Sequence, residues 1–132
     1  YHTLLDHPKI VSKFFTKGGP FWGPVFIKFM FPKLQHGMRK LMKINEATAA
    51  KSLESLKIAL DRLQEATQES EFLVGDQLSR ADVTAASLLA PMFMSPKYGL
   101  DWPDNIPEPL KGIIDELTPA MQWAANIYST YR

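Results

Sequence analysis

The sequence predicts an all-α fold, a helical bundle of about five to six helices around one buried central helix. The central helix is predicted by Ser79 and Asp82, which are spaced as a capping box before the uncharged run 83–90. A stripe of leucine and alanine at alternating steps of three and four over 49–63 predicts a second helix. Apolar residues also recur at helical steps over 119–131. Because the run 83–90 has no charged face, it is expected to have other helices on every side.

Length and composition predict one globular domain over residues 1–132. Of the 132 residues, 45% are hydrophobic and 22% are charged, which suits a single core. The formal net charge is +1, so the chain as a whole has no field that would attract nucleic acid or an acidic membrane, and neither partner is expected. Cysteine is absent, which excludes disulfides and thiol nucleophiles within these residues.

Local signals place several helix starts and breaks. Residues 4–16 form a first helical stretch, with Asp6 as a possible cap. Pro32 is expected to kink the next helix without ending it, because amphipathic spacing resumes at once. Asn45 is predicted to cap the leucine-rich helix, and Thr118 to cap the last one.

The stretch 95–109 is predicted to be an ordered connector. Five helix-breaking residues, all proline or glycine, fall within it. The aromatic side chains of Tyr98 and Trp102 are expected to hold this connector in place.

The least usual composition lies at 21–31, where five residues are aromatic and one is charged. The run is too short to cross a membrane, since a spanning helix needs about 20 apolar residues. One interpretation is a helix that starts near Pro24 and is buried against the bundle. The other is an exposed aromatic wall that lines an apolar pocket or a subunit interface.

A basic stripe follows on the same predicted helix, formed by Lys33, His36, Lys40 and Lys43. Such a stripe is typical of the solvated side of a helix. It could also attract an anionic ligand. Nucleic-acid binding is a weaker interpretation, because the stripe shows no interleaved aromatic residues.

No catalytic residue and no metal ligand is predicted in this chain. The spacing of His2, His7 and His36 does not suit a metal site, and no acidic pair completes one. Ser79 lacks the surroundings of a serine nucleophile, and its hydroxyl is explained as a helix cap. Asp82 is likewise interpreted as a structural residue rather than a general base.

The stretch 72–89 contains a glycine turn and a capping box in the order Phe72, Leu73, Gly75, Ser79, Ala81 and Asp82. This order resembles the capping box that opens the central helix in the C-terminal helical domain of soluble, bacterial-type glutathione S-transferases. The closing pattern Pro119, Trp123, Tyr128 and Arg132 is similar to the last helix of many bacterial members.

The resemblance implies a cytoplasmic, homodimeric enzyme of detoxification, which conjugates glutathione to a hydrophobic electrophile or uses it to reduce one. In that family a preceding thioredoxin-like domain binds glutathione as co-substrate and activates its thiol through Ser, Cys or Tyr. Nothing in this chain looks like that domain, and a start at Tyr1 instead of Met suggests an excerpt or a processed product.

In such an enzyme this chain would supply the apolar wall for the electrophile and part of the dimer interface. The candidate wall residues are Phe15, Phe21, Trp22 and Phe26. The alternative is a non-catalytic protein–protein interaction module, because similar domains serve assembly in translation factors and aminoacyl-tRNA synthetases.

Overall fold

The structure is a computed structural model that describes residues 2–132, apart from the side chain of Phe15. Within that range the chain forms six α-helices and no strand, so the prediction of an all-α fold with five to six helices is confirmed. The helices are α1 (Pro8–Thr16), α2 (Gly23–Leu41), α3 (Glu46–Ala66), α4 (Arg80–Leu89), α5 (Leu110–Leu117) and α6 (Gln122–Tyr131). Short 3₁₀ turns occupy Leu4–Asp6, Pro96–Tyr98 and Pro119–Met121.

The helices are divided between two compact units. The first contains the chain up to Leu53 together with Leu100–Leu110, and the second contains Glu54–Gly99 and Lys111–Arg132. The chain passes from the first unit to the second inside α3 and returns to the first after Gly99. Gly99 has a φ of +83°, a left-handed conformation that glycine adopts without strain. The organisation of residues 1–132 as one domain stays a prediction.

The core of the first unit lies between α1, α2 and the turn before them. Its buried side chains are Leu5, Val11 and Phe31, and partly buried ones pack around them: Leu4, Ile27, Leu34, Met38 and Ile44. As predicted, α2 continues through Pro32. Only two residues of this helix, Gly23 and Phe31, are buried, so most of its surface is left outside the core.

Asp6 does not cap α1, and that prediction is wrong. The cap position is His7, which makes no side-chain cap bond. The Asp6 carboxylate instead accepts a hydrogen bond from the Arg39 guanidinium at 2.6 Å. This solvent-exposed ion pair joins the turn to the far end of α2.

The core of the second unit is built around the packing of α4 against α6. Its buried residues are Phe72, Ala86, Ala90, Ala124, Ile127 and Tyr128. Three of these six are alanines, and their small side chains let the two helices approach closely. Trp123 of α6 holds the loop between α3 and α4, because its ring N–H donates to the carbonyl of Glu71 at 2.9 Å.

Burial of α4 is less complete than predicted. Asp82, Ala86 and Ala90 follow one another at steps of four and form its buried line. Beside this line, Val83 is about half exposed, and on another side of the helix the Leu88 side chain is 75% exposed. The uncharged sequence predicted cover on every side, whereas the packing against α6 covers one face.

Two other predicted caps have different outcomes. The prediction for Asn45 is confirmed, because its side-chain oxygen accepts from the Thr48 N–H at 3.0 Å, at the start of α3. The prediction for Thr118 is wrong, since its hydroxyl donates backward to the carbonyl of Ile114 at 2.8 Å. A 3₁₀ turn then intervenes before α6 begins at Gln122.

Candidate functional site

The predicted wall residues whose side chains are described lie together at the start of α2. Phe21 and Trp22 directly precede the helix, and Phe26 lies in its first turn. The Phe21 side chain is 96% exposed, and those of Trp22 and Phe26 are about half exposed. The rings of Trp22 and Phe26 meet edge to face, with their centroids 5.8 Å apart. The fourth candidate side chain, that of Phe15, lies outside the described residues.

The exposed apolar surface extends further along α2 than the sequence candidates. We call this surface the aromatic patch, and it consists of Phe21, Trp22, Val25, Phe26, Phe29 and Met30. Phe29 is 75% exposed, whereas Phe31, two residues later, is only 4% exposed and belongs to the core. The sequence allows two interpretations of the run 21–31, a buried helix or an exposed aromatic wall. Phe31 is buried, and most of the other large apolar residues of the run are exposed. No pattern in the sequence separates Phe29 from the buried Phe31, because both are aromatic residues of the same apolar run.

The basic stripe continues from the aromatic patch to the end of α2 and two residues beyond it. Lys33, His36, Lys40 and Lys43 are all exposed. Arg39 is separate from them, because its guanidinium pairs with Asp6. Aromatic and cationic surfaces thus lie in succession on one helix.

A small cavity in the first unit was not predicted. It has a volume of about 80 Å³ and is lined by Lys9, Ile10, Lys13, Phe14, Asp101 and Pro103. Its walls are fixed by the edge-to-face contact of Phe14 with Trp102, at 6.0 Å, and by the ion pair of Lys17 with Asp101, at 2.9 Å. Pockets for organic ligands usually measure about 300–1,000 Å³, so this cavity is too small to enclose an electrophile.

The capping residues have the geometry of a structural site. The Ser79 hydroxyl accepts from the Asp82 N–H, and the Asp82 carboxylate accepts from the Ser79 N–H at 2.7 Å. The carboxylate also accepts from the Ser79 hydroxyl at 2.5 Å and from the Leu73 N–H at 2.7 Å. The Asp82 carboxylate therefore accepts hydrogen bonds from Leu73 and Ser79 of the chain itself, and its side chain has no exposure to solvent.

Electrostatics support the same role for Asp82. Burial acts to raise the pKa of this carboxyl, but the hydrogen bonds from Leu73 and Ser79 outweigh it and hold the pKa below its ordinary value. A general base works best with a pKa near the operating pH. Asp82 is thus a permanently ionised structural anion at neutral pH.

Two kinds of site are not found in the described part of the chain. Residues 2–132 contain no group of three or more His, Cys, Asp or Glu that could hold a metal ion. Among the same residues, none of the helices has the length and apolarity needed to cross a membrane.

Comparison with known proteins identifies the family. The sequence model of the family described as "Glutathione S-transferase, C-terminal domain" matches residues 19–109, which is more than half of the chain. The match includes the aromatic patch and the capping box, and it ends before the closing helix α6. Comparison with curated proteins and with solved structures finds no match. The chain therefore belongs to the family of glutathione S-transferase C-terminal domains.

Proposed function

We propose that this chain is the helical, substrate-binding half of a cytoplasmic glutathione S-transferase that acts in detoxification. The parent enzyme conjugates glutathione to a hydrophobic electrophile or uses it to reduce one. A thioredoxin-like domain preceding this chain binds glutathione, and two copies of the parent form a homodimer. Family membership over residues 19–109 supports this proposal.

The observation that carries the proposal is the exposure of Phe21, Trp22 and Phe26 at the start of α2, inside the matched range. An apolar electrophile placed against these rings leaves water. Covering the almost fully exposed Phe21 adds roughly 1.5–3 kcal/mol of binding, and covering the half-exposed rings of Trp22 and Phe26 adds less. The edge-to-face contact of Trp22 with Phe26 holds both rings in place. These residues therefore form one wall of the site, and the glutathione-binding domain forms the other.

In this proposal the chain binds and orients the electrophile and contributes no nucleophile. The sulfur of the glutathione thiolate forms a bond to the electrophilic carbon, whose leaving group departs with its electron pair. The aromatic wall excludes water and fixes the direction from which the sulfur approaches. Asp82 takes no part, because its carboxylate is buried and fully engaged by Leu73 and Ser79.

Steady-state kinetics of the natural gene product test the wall. Trp22→Ala and Phe26→Ala should raise the KM for an apolar electrophile and leave the KM for glutathione unchanged. Leu88→Ala is a control, since it removes an exposed apolar side chain from the second unit. Equal effects of all three variants on both KM values would contradict a wall on α2.

A second candidate function is a non-catalytic interaction module. It is favoured by the basic stripe, in which Lys33, Lys40 and Lys43 are exposed and able to meet an acidic partner protein. A stable complex with an unrelated polypeptide, in a gene product that has no affinity for a glutathione resin, would support this function. Retention on that resin would support the enzyme.

A further inference from the structure

Positive charge is concentrated in the N-terminal third of the chain. Residues 7–45 contain eight Lys and Arg and no Asp or Glu, whereas the remainder contains seven Lys and Arg and fourteen Asp and Glu. The formal charges of the two parts are therefore +8 and −7. The expectation of no membrane partner rested on the net charge of +1, and that sum conceals this division.

The outward face of α2 combines this charge with exposed apolar residues. Val25, Phe29, Lys33, His36 and Lys40 follow one another at steps of three or four, which places them on one side of an α-helix. All five are exposed. The first half of this face is apolar and the second half is basic, and we call the whole of it the outer face of α2.

The lysines of the outer face of α2 make no ion pair with the described residues. Two other cations of the same unit are paired, Arg39 with Asp6 and Lys17 with Asp101. By contrast, Lys28, Lys33 and Lys40 make no ion pair with any residue that the structure describes. A partner that matches the outer face therefore has negative charge opposite Lys33 and Lys40 and an apolar region opposite Val25 and Phe29.

We propose that the outer face of α2 binds the surface of an anionic lipid bilayer. Val25 and Phe29 enter the boundary between head groups and acyl chains, and Lys33 and Lys40 stay level with the lipid phosphates or carboxylates. Surface-bound helices show this combination of aromatic residues and lysines, and each lysine near an anionic membrane strengthens binding. The helix lies on the bilayer and does not cross it.

Other occupants fit the outer face less well. A small molecule bound by this chain alone needs a concave site, whereas Val25 and Phe29 project from the convex surface of a helix. Single-stranded nucleic acid is bound by several aromatic side chains on which successive bases stack, whereas Phe29 is the one Phe, Tyr or Trp on the outer face. A symmetric contact with a second copy would bring two faces without acidic residues together, and their like charges would repel.

Sedimentation of the full chain with lipid vesicles tests the proposal. Binding is expected to vesicles made from equal parts of phosphatidylcholine and phosphatidylserine, and not to phosphatidylcholine alone. It should be lost at about 1 M salt, where the Debye length is about 3 Å. The double variant Lys33→Gln/Lys40→Gln should weaken binding by about 25-fold, which is roughly fivefold for each lysine.

Matched controls separate this surface from general charge and apolarity. Arg62→Gln/Arg80→Gln removes the same charge from exposed residues of the second unit and should leave binding unchanged. Phe29→Ser should weaken binding, and Leu88→Ser should not, although both side chains are 75% exposed. Circular dichroism of each variant verifies the fold.

Three results would overturn the proposal. The first is no binding to the mixed vesicles, and the second is equal loss in a variant and its matched control. The third is displacement of the chain from the vesicles by single-stranded oligonucleotide, which would assign the outer face to nucleic acid. The proposal goes beyond the transferase function, and Phe29, Lys33 and Lys40 are not wall candidates. A failure here therefore leaves the kinetic test of Trp22 and Phe26 intact.

Discussion

The carboxylate of Asp82 accepts a hydrogen bond from the backbone N–H of Leu73, nine residues earlier in the chain, at 2.7 Å. Its other oxygen accepts from the N–H and the hydroxyl of Ser79. One buried side chain thus satisfies donors of the loop and of the helix start together. The residue does more than cap α4, because it also holds the loop from Leu73 to Ser79 against the helix.

Replacing Asp82 by Ala should lower the free energy of unfolding by about 1 to 3 kcal/mol. The lower figure is the usual cost of a lost cap, and the higher one includes buried donors left without an acceptor. Chemical denaturation monitored by circular dichroism measures the change. Asp76→Ala is the matched control, because Asp76 is exposed in the same loop. If Asp82→Ala cost no more than Asp76→Ala, the carboxylate would not stabilise this region.

The same carboxylate should make stability depend on acid. Its pKa is lower in the folded chain than the ordinary value of about 3.9. The unfolded state therefore takes up its proton first as the pH falls, and protonation favours unfolding. The stabilisation should be complete above about pH 5 and should be lost as the pH falls through the lowered pKa.

Comparison with Asp82→Asn isolates this dependence. The difference in unfolding free energy between the original chain and this variant should be constant from neutral pH down to about pH 5 and should shrink at lower pH. Urea titrations at a series of pH values measure it. A difference that grew as the pH fell would mean that the folded carboxyl has a raised pKa.

Truncation of two phenylalanines of α2 should change the stability of the chain to very different extents. Phe31→Ala should destabilise the chain by about 3–5 kcal/mol, since it empties a site in the core. Phe29→Ala should change stability by no more than about 0.5 kcal/mol, because its side chain is mostly in water. Thermal and chemical unfolding of both variants would measure the contrast. A comparable loss for Phe29→Ala would show that its ring packs inside the folded chain.

Features set by neighbouring residues could be predicted from the sequence. The Asn45 cap depends on a bond to the N–H three residues later, and such bonds follow from spacing alone. The all-α class likewise follows from helical periodicity. The capping spacing of Ser79 and Asp82 also indicated where α4 begins.

Features set by competition between partners could not be predicted. The Thr118 hydroxyl has the chemistry of a cap, but the carbonyl of Ile114 is also within its reach and takes the bond. Asp6 lies one residue before the cap position of α1, and its carboxylate pairs with Arg39, which lies 33 residues later. The bond from Leu73 to Asp82 depends on a loop that folds back, and no local spacing encodes it.

Exposure of the candidate wall was similarly hidden from sequence patterns. Five aromatic residues within eleven occupy several sides of the helix, so periodicity alone could not divide core from surface. The structure makes the division by packing Phe31 inward and leaving Phe21, Trp22 and Phe26 outside. The charge of the outer face was hidden for another reason, because the acidic remainder of the chain cancels it in the total.

Titration of glutathione into the natural gene product, followed by isothermal calorimetry, tests the central claim most directly. We expect saturable binding of one glutathione per chain, with the tripeptide held mainly by a thioredoxin-like domain that precedes Tyr1. A natural gene product that shows no heat of binding at millimolar glutathione would contradict the transferase function. The interaction module would then be the function of this helical domain.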